Sequence, residues 1–154
     1  MATVDIAADD PNAEDVQALL RRHLEFAEAN TPPEDVHALD VDQLADPAVM
    51  FFSCRRDGEL LAVGALKQLD GRHAELKSMH TAASARGRGI GRAMVEHLIG
   101  VARDHGFGRV SLETGSTPAF APARSLYGQA GFTPCGPFGD YLPGRGNTFM
   151  TLAL

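Results

Sequence analysis

The residues with the most chemical potential form one short run, Arg86-Gly87-Arg88-Gly89-Ile90-Gly91-Arg92, in which glycines alternate with larger residues and three arginines gather. The run follows a strand-like segment and precedes a stretch of helical period. Its backbone N–H groups therefore include the unpaired donors at a helix N-terminus, where the helix dipole also favours negative charge. Glycine lacks a Cβ, so it admits close approach of a ligand to the backbone and dihedrals that other residues avoid. Three glycines at one junction cost backbone entropy that a solvated helix cap does not require. The run is best suited to an anion, above all a phosphate. Two common phosphate motifs do not fit. A G-x-G-x-x-G counted from Gly87 needs glycine where Arg92 stands, and a Walker motif needs Gly-Lys followed by Ser or Thr.

Other reactive side chains are sparser. His23, His37, His73, His97 and His105 lack H-x-x-x-H or any other metal spacing, so solvated or capping roles are expected and no metal is predicted. Cys54 and Cys135 stand far apart outside any CxxC, as reduced core thiols of a reducing compartment would.

The elements that must hold this turn can be read from periodicity. Thr3 to Ala7 alternates as a short strand, and Val16, Leu19, Leu20, His23, Phe26 and Ala27 mark a helix after Asp9-Asp10-Pro11-Asn12. Asn30 to Leu39, with Pro32 and Pro33, reads as a loop, and Val41 to Ala45 as a helical turn. Val49–Arg55, Glu59–Leu69 and His73–Thr81 are strands joined by turns at Arg56-Asp57-Gly58 and Asp70-Gly71, an antiparallel meander. Ile90, Met94, Leu98 and Ala102 line one face of a long helix that Gly106 closes. Arg109–Thr114 is a strand, Pro122–Ala130 a helix and Thr148–Leu152 a closing strand. The Gly- and Pro-rich segment between Pro134 and Asn147 reads as a loop at the edge of a site. The expected fold class is α/β, a mixed sheet flanked by helices.

Bulk properties narrow the classes. A chain of 154 residues is expected to form a single domain (1–154), and 44% hydrophobic with 22% charged residues is ordinary globular composition, which excludes disorder and fibrous repeats. A net charge of -6 argues against nucleic-acid binding over a broad surface. No basic n-region, apolar h-region or membrane-length apolar run is found, so no membrane partner and a cytoplasmic location are expected. Edge strands late in the chain would allow a homodimer.

The run from Arg86 to Arg92 resembles the R/Q-x-x-G-x-G/A signature of the GNAT superfamily of N-acetyltransferases, with Arg86, Gly89 and Gly91 at its defining positions. Glu75-Leu76-Lys77-Ser78-Met79-His80-Thr81 is similar to the family's preceding strand, and Ala123-Arg124-Ser125-Leu126-Tyr127 with Gly131-Phe132 to its later helix and turn. The resemblance covers roughly Gly64 to Phe132. It implies a mostly antiparallel sheet with a central parallel pair of strands splayed to hold the cofactor. It further implies acetyl-CoA as cosubstrate, its pyrophosphate on the N–H groups of Arg86, Gly87, Arg88, Gly89, Ile90, Gly91 and Arg92. The backbone of Met79, His80 and Thr81 would lie along the pantetheine arm.

The implied activity is transfer of an acetyl group to a primary amine of a small molecule or amino acid, directly in a ternary complex, since no cysteine lies in the matched motifs. Two alternatives stand beside it: acetylation of a protein N-terminus or lysine, and a coenzyme A-binding module without catalysis. Tyr127 falls on the family's tyrosine position, as an acid for the departing thiolate or as packing beside the cofactor. Glu75 occupies the position of the base glutamate of histone-modifying members, or it only pairs with Lys77. Period-two alternation would put Glu75, Lys77, Met79 and Thr81 on one side and His80 on the other, where it could touch substrate. Glu113 and Thr114 either supply polar groups to the acyl pocket or begin a loop.

Overall fold

The computed structural model describes residues 3–37 and 41–154. Met1, Ala2, the end of the first loop at Ala38 and Leu39, and Asp40 lie outside the described residues. The strands are β1 (Asp5–Ala8), β2 (Val49–Arg56), β3 (Glu59–Gln68), β4 (His73–Thr81), β5 (Arg109–Gly115), β6 (Thr133–Cys135) and β7 (Asn147–Ala153). The helices are α1 (Glu14–Asn30), α2 (Val41–Leu44), α3 (Ile90–Asp104) and α4 (Ala121–Gln129).

The strands form one sheet in the order β1-β2-β3-β4-β5-β7-β6. Every neighbouring pair is antiparallel except β4 with β5. The β2–β3 hairpin turns on Asp57 and Gly58, whose φ values of 51° and 83° are the pair of left-handed residues a tight hairpin needs. The Gly- and Pro-rich segment is not all loop. β6 takes Thr133–Cys135, and Pro134 is tolerated there because β6 is the outermost strand of the sheet.

Helices cover both faces. On one, Ile90, Met94, Val95, Leu98, Ile99 and Ala102 of α3 pack with Leu66, Leu76, Val110, Leu112 and Tyr127. These helical residues recur every three or four positions, which keeps them on a single buried stripe. On the other face, Val16, Leu19 and Leu20 of α1 and Leu44 of α2 bury Phe51, Val63 and Ala65. No described helix is long and apolar enough to cross a membrane.

Candidate active site

α3 begins directly after the glycine-rich turn, with Gly89 as its N-cap at φ 78° and Gly87 at φ 76°. Both lie in the left-handed region, and no atom comes within 4 Å of where a Cβ would stand on either. Gly91 is glycine for another reason than ligand approach. A Cβ there would lie 3.1 Å from Leu126 and 3.6 Å from Thr81 Oγ1, so its absence lets α3 sit close to α4 and the end of β4. The N–H groups of Ile90, Gly91 and Arg92 precede the first bond of the helix, from Ala93 N–H to the Gly89 carbonyl at 3.1 Å. This row of open donors at a helix N-terminus fits a pyrophosphate. Arg86 Nε reaches the Thr81 carbonyl at 3.4 Å, and Arg92 pairs with Glu96 at 3.0 Å on the exposed face.

β4 and β5 pair only from His73–Leu76 against Arg109–Leu112 and then separate. Just beyond, β4 is bulged: Lys77 opposes Ala65 and His80 opposes Val63, so two residues of β4 face Gly64 alone. Ser78 absorbs the extra residue at φ 56°, an uncommon conformation for a side chain other than glycine's. The bulge overturns the simple alternation. Glu75, Lys77 and His80 share the α1 face, and His80 packs on His23 and Phe26 of α1. Met79 and Thr81 turn to the α3 face, beside Met94, Leu98 and Gly91.

The gap opens into a cavity of about 600 Å³. It is lined by every residue from Arg86 to Arg92 except Arg88, by Met79, Thr81 and Tyr127, and by Glu75, Lys77, Glu113, His23 and His80. In its wall Glu75, 3% exposed, accepts from Lys77 Nζ at 3.2 Å and from the Tyr141 hydroxyl at 2.5 Å. Lys77 also donates to Tyr141 at 2.6 Å and to the His37 carbonyl at 3.3 Å. The pairing of Glu75 with Lys77 is thus present. Asn147 donates to Glu113 and to the Asp35 carbonyl, and the Asp35 carboxylate accepts from Gly146 N–H at 3.0 Å. These bonds tie the loop after α1 to the loop before β7. Burial holds the Glu113 carboxyl above its ordinary range. Burial, with Glu113 nearby, also pushes the Tyr127 phenol above the ordinary tyrosine range.

Comparison with known proteins now decides the family. The model of the Acetyltransferase (GNAT) family matches residues 14–132. The "Uncharacterized N-acetyltransferase YsnE" of Bacillus subtilis is 42% identical over 149 residues, covering 97% of this chain and 99% of that one. The chain belongs to the GNAT acetyltransferase family. A structure from Klebsiella pneumoniae shares the fold of this GNAT chain at a TM-score of 0.85, with 24% identity and coverage of 100% and 99%. A Bacillus subtilis acetyltransferase solved in complex with CoA does so at 0.74, with 19% identity and 99% of both chains covered.

Within this GNAT chain, the cofactor and catalytic residues singled out from sequence, Arg88 excepted, line one cavity, while some of their neighbours were missed. Tyr141 lies in the segment read as an edge loop, 66 positions from the glutamate it contacts, and no local pattern links the two. Asp35 and Asn147 are likewise joined only by the fold. His23 was expected to be solvated or capping. Instead its Nδ1 lies 3.2 Å from Nδ1 of His80 at the cavity wall. Its place on the apolar period of α1 was the available signal. Among the described residues, no group of three or more His, Cys, Asp or Glu is arranged to hold a metal.

Proposed function

We propose that this GNAT chain, as one domain, is an acetyl-CoA-dependent N-acetyltransferase that acetylates a primary amine of a small molecule or amino acid by direct transfer. The observation that carries the reading is the continuity of the cavity, from the first N–H groups of α3, through the β4–β5 gap, to the carboxylates Glu75 and Glu113. Helix N-terminal donors and arginines suit a pyrophosphate without a metal. The unpaired edge of β4 at Met79, His80 and Thr81 suits an amide-bearing pantetheine arm, and the acidic end attracts an ammonium group.

In the reaction a neutral amine attacks the thioester carbonyl, forming the C–N bond, and a backbone N–H near Met79 holds the oxyanion. The extra proton on the attacking nitrogen passes to Glu75, directly or through water. The C–S bond then breaks and the sulfur takes its proton from Tyr127. Tyr127 lines the cavity and its hydroxyl bonds to no described residue, which leaves it free to donate. Neither Cys54 nor Cys135 lines the cavity, which supports direct transfer over an acyl-cysteine. Both are free thiols, as a cytoplasmic enzyme would carry.

The tied loops at Asp35, Gly146 and Asn147 support a small acceptor over a protein tail, which would need an open groove. The test is a screen of aromatic amines, polyamines and amino acids for coenzyme A release, together with calorimetry of acetyl-CoA. Binding with release to at least one small amine is expected. Binding without release to any amine would leave only a coenzyme A-binding module, and no binding would overturn the reading altogether.

A further inference from the structure

His23 of α1 and His80 of β4 form a hydrogen-bonded pair at the wall of the cavity, and the reaction above assigns no task to their side chains. Their Nδ1 atoms are 3.2 Å apart, and their rings meet edge to face with centroids 5.2 Å apart. Phe26 packs against His80 and Phe120 against Phe26, so the pair has an aromatic wall. Neither Nε2 bonds to a described residue.

The pair has a simple hydrogen inventory. A neutral imidazole carries one N–H, and an Nδ1···Nδ1 hydrogen bond needs one ring to donate and the other to accept. The donor ring then has a lone pair at Nε2, and the acceptor ring has an N–H at Nε2. Whichever ring is which, the pair offers one proton acceptor and one proton donor at its two outer nitrogens. The charges that reach it are cationic: Lys77 from β4, Arg86 from the glycine-rich turn and Arg22 from α1. Glu75 and Glu113 line the same cavity but are engaged by Lys77 with Tyr141 and by Asn147 respectively. Burial first, then the His80 ring and Lys77, lower His23 to about 4, and burial first, then Arg86 and Arg22, lower His80 to about 4. Both rings are neutral near pH 7, as the inventory requires.

We propose that His23 and His80 act together as a proton relay that converts the bound acceptor from ammonium to neutral amine before attack. This rests on the acetyltransfer reading and supplies its missing first step. The ammonium R–NH3⁺ gives a proton to the free Nε2 lone pair of one ring. That ring's Nδ1 proton passes to Nδ1 of its partner, and the partner's Nε2 proton leaves to water. The N–H bond of the ammonium is the one broken, and neither ring holds a net charge when the transfer is complete. Overall R–NH3⁺ and the thioester give the amide, the thiol of coenzyme A and one proton in solvent. The tautomers reset through water once the product has left.

Two measurements test the relay. Long-range ¹H–¹⁵N correlation on the ¹⁵N-labelled protein near pH 7 should show both rings neutral and of opposite tautomer. Two Nε2–H tautomers, or either ring cationic, would overturn the pairing. Coenzyme A release to 2-phenylethylamine should then be compared in wild type, His23→Asn, His80→Asn and the double variant. Asparagine keeps a hydrogen-bonding group near the Nδ1 position but cannot pass a proton across a ring. Each single variant should lose about 10²-fold in turnover near pH 7, with acetyl-CoA affinity within a few-fold. The double variant should lose no more than either single one, because the rings act as a unit. The deficit should close toward about pH 9.5, where more of the amine is neutral in solution. Folded variants with near-normal turnover and an unchanged pH profile would reject the relay while leaving acetyl transfer intact. Absence of wild-type turnover with every amine of the screen would reject both.

Discussion

Replacing Lys77 with methionine removes the cation of a buried pair while keeping a similar apolar stem. Glu75 is 3% exposed and Lys77 8%, and their contact is 3.2 Å, so Lys77→Met leaves a carboxylate with almost no water and only the Tyr141 hydroxyl against the same oxygen. Breaking a buried ion pair from one side costs about 3–5 kcal/mol, and the surviving Tyr141 bond places this case at the lower end. For a domain of this size that is a fall in Tm of roughly 10 °C. Glu75→Gln/Lys77→Met removes both charges and should recover to within about 1–2 kcal/mol of wild type.

Urea unfolding monitored by circular dichroism near pH 7, for wild type and both variants, gives the comparison. The stable double variant also separates the two roles of Glu75. Turnover about 10²-fold below wild type supports proton acceptance, and near-normal turnover leaves Glu75 as a structural partner of Lys77. A Lys77→Met protein within 1 kcal/mol of wild type would refute the reasoning, since the pair would then not be shielded from water.

Tyr127→Phe keeps the ring and removes the donor, so acetyl-CoA affinity should stay within a few-fold while turnover falls about 10²-fold, measured where chemistry limits the rate. Because burial holds the phenol above the ordinary range, an alkaline limb in the wild-type rate profile should persist in this variant. Gly89→Val puts a β-branched residue at φ 78°, costing about 1–2 kcal/mol of backbone strain and placing methyl groups among the open N–H donors. Calorimetry should show acetyl-CoA binding weakened at least about tenfold, with wild-type binding insensitive to EDTA; unchanged affinity in a folded variant would move the pyrophosphate elsewhere. His23 and His80 bind protons more readily unfolded than folded, so their contribution to stability is complete above about pH 6.5 and is lost as pH falls toward about 4. The loss is on the order of 2 kcal/mol for the pair once discounted for partial exposure, and thermal unfolding should show a shallower acid slope in His23→Asn/His80→Asn.

Much of this molecule was legible from sequence because its signals are local. The meander strands, the stripe of α3 and the glycine-rich turn each follow from the conformational preferences of neighbouring residues, and a helix N-terminus offers open donors wherever it occurs. Gly87 and Gly89 announced left-handed dihedrals through their composition alone. Gly91 could not disclose its reason, which is the approach of Leu126 from another helix. The single extra residue at Ser78 decided most about the site. It is invisible to a period-two reading, because a bulge is fixed by how β4 pairs with β3 around Gly64. It turns His80 toward α1 and so creates the pair with His23, 57 positions away. Tyr141 on Glu75 and Asn147 on Asp35 belong to the same class. Contacts between buried polar groups distant in sequence are set by which segments the sheet order and the loops bring together, and only the tertiary structure settles that.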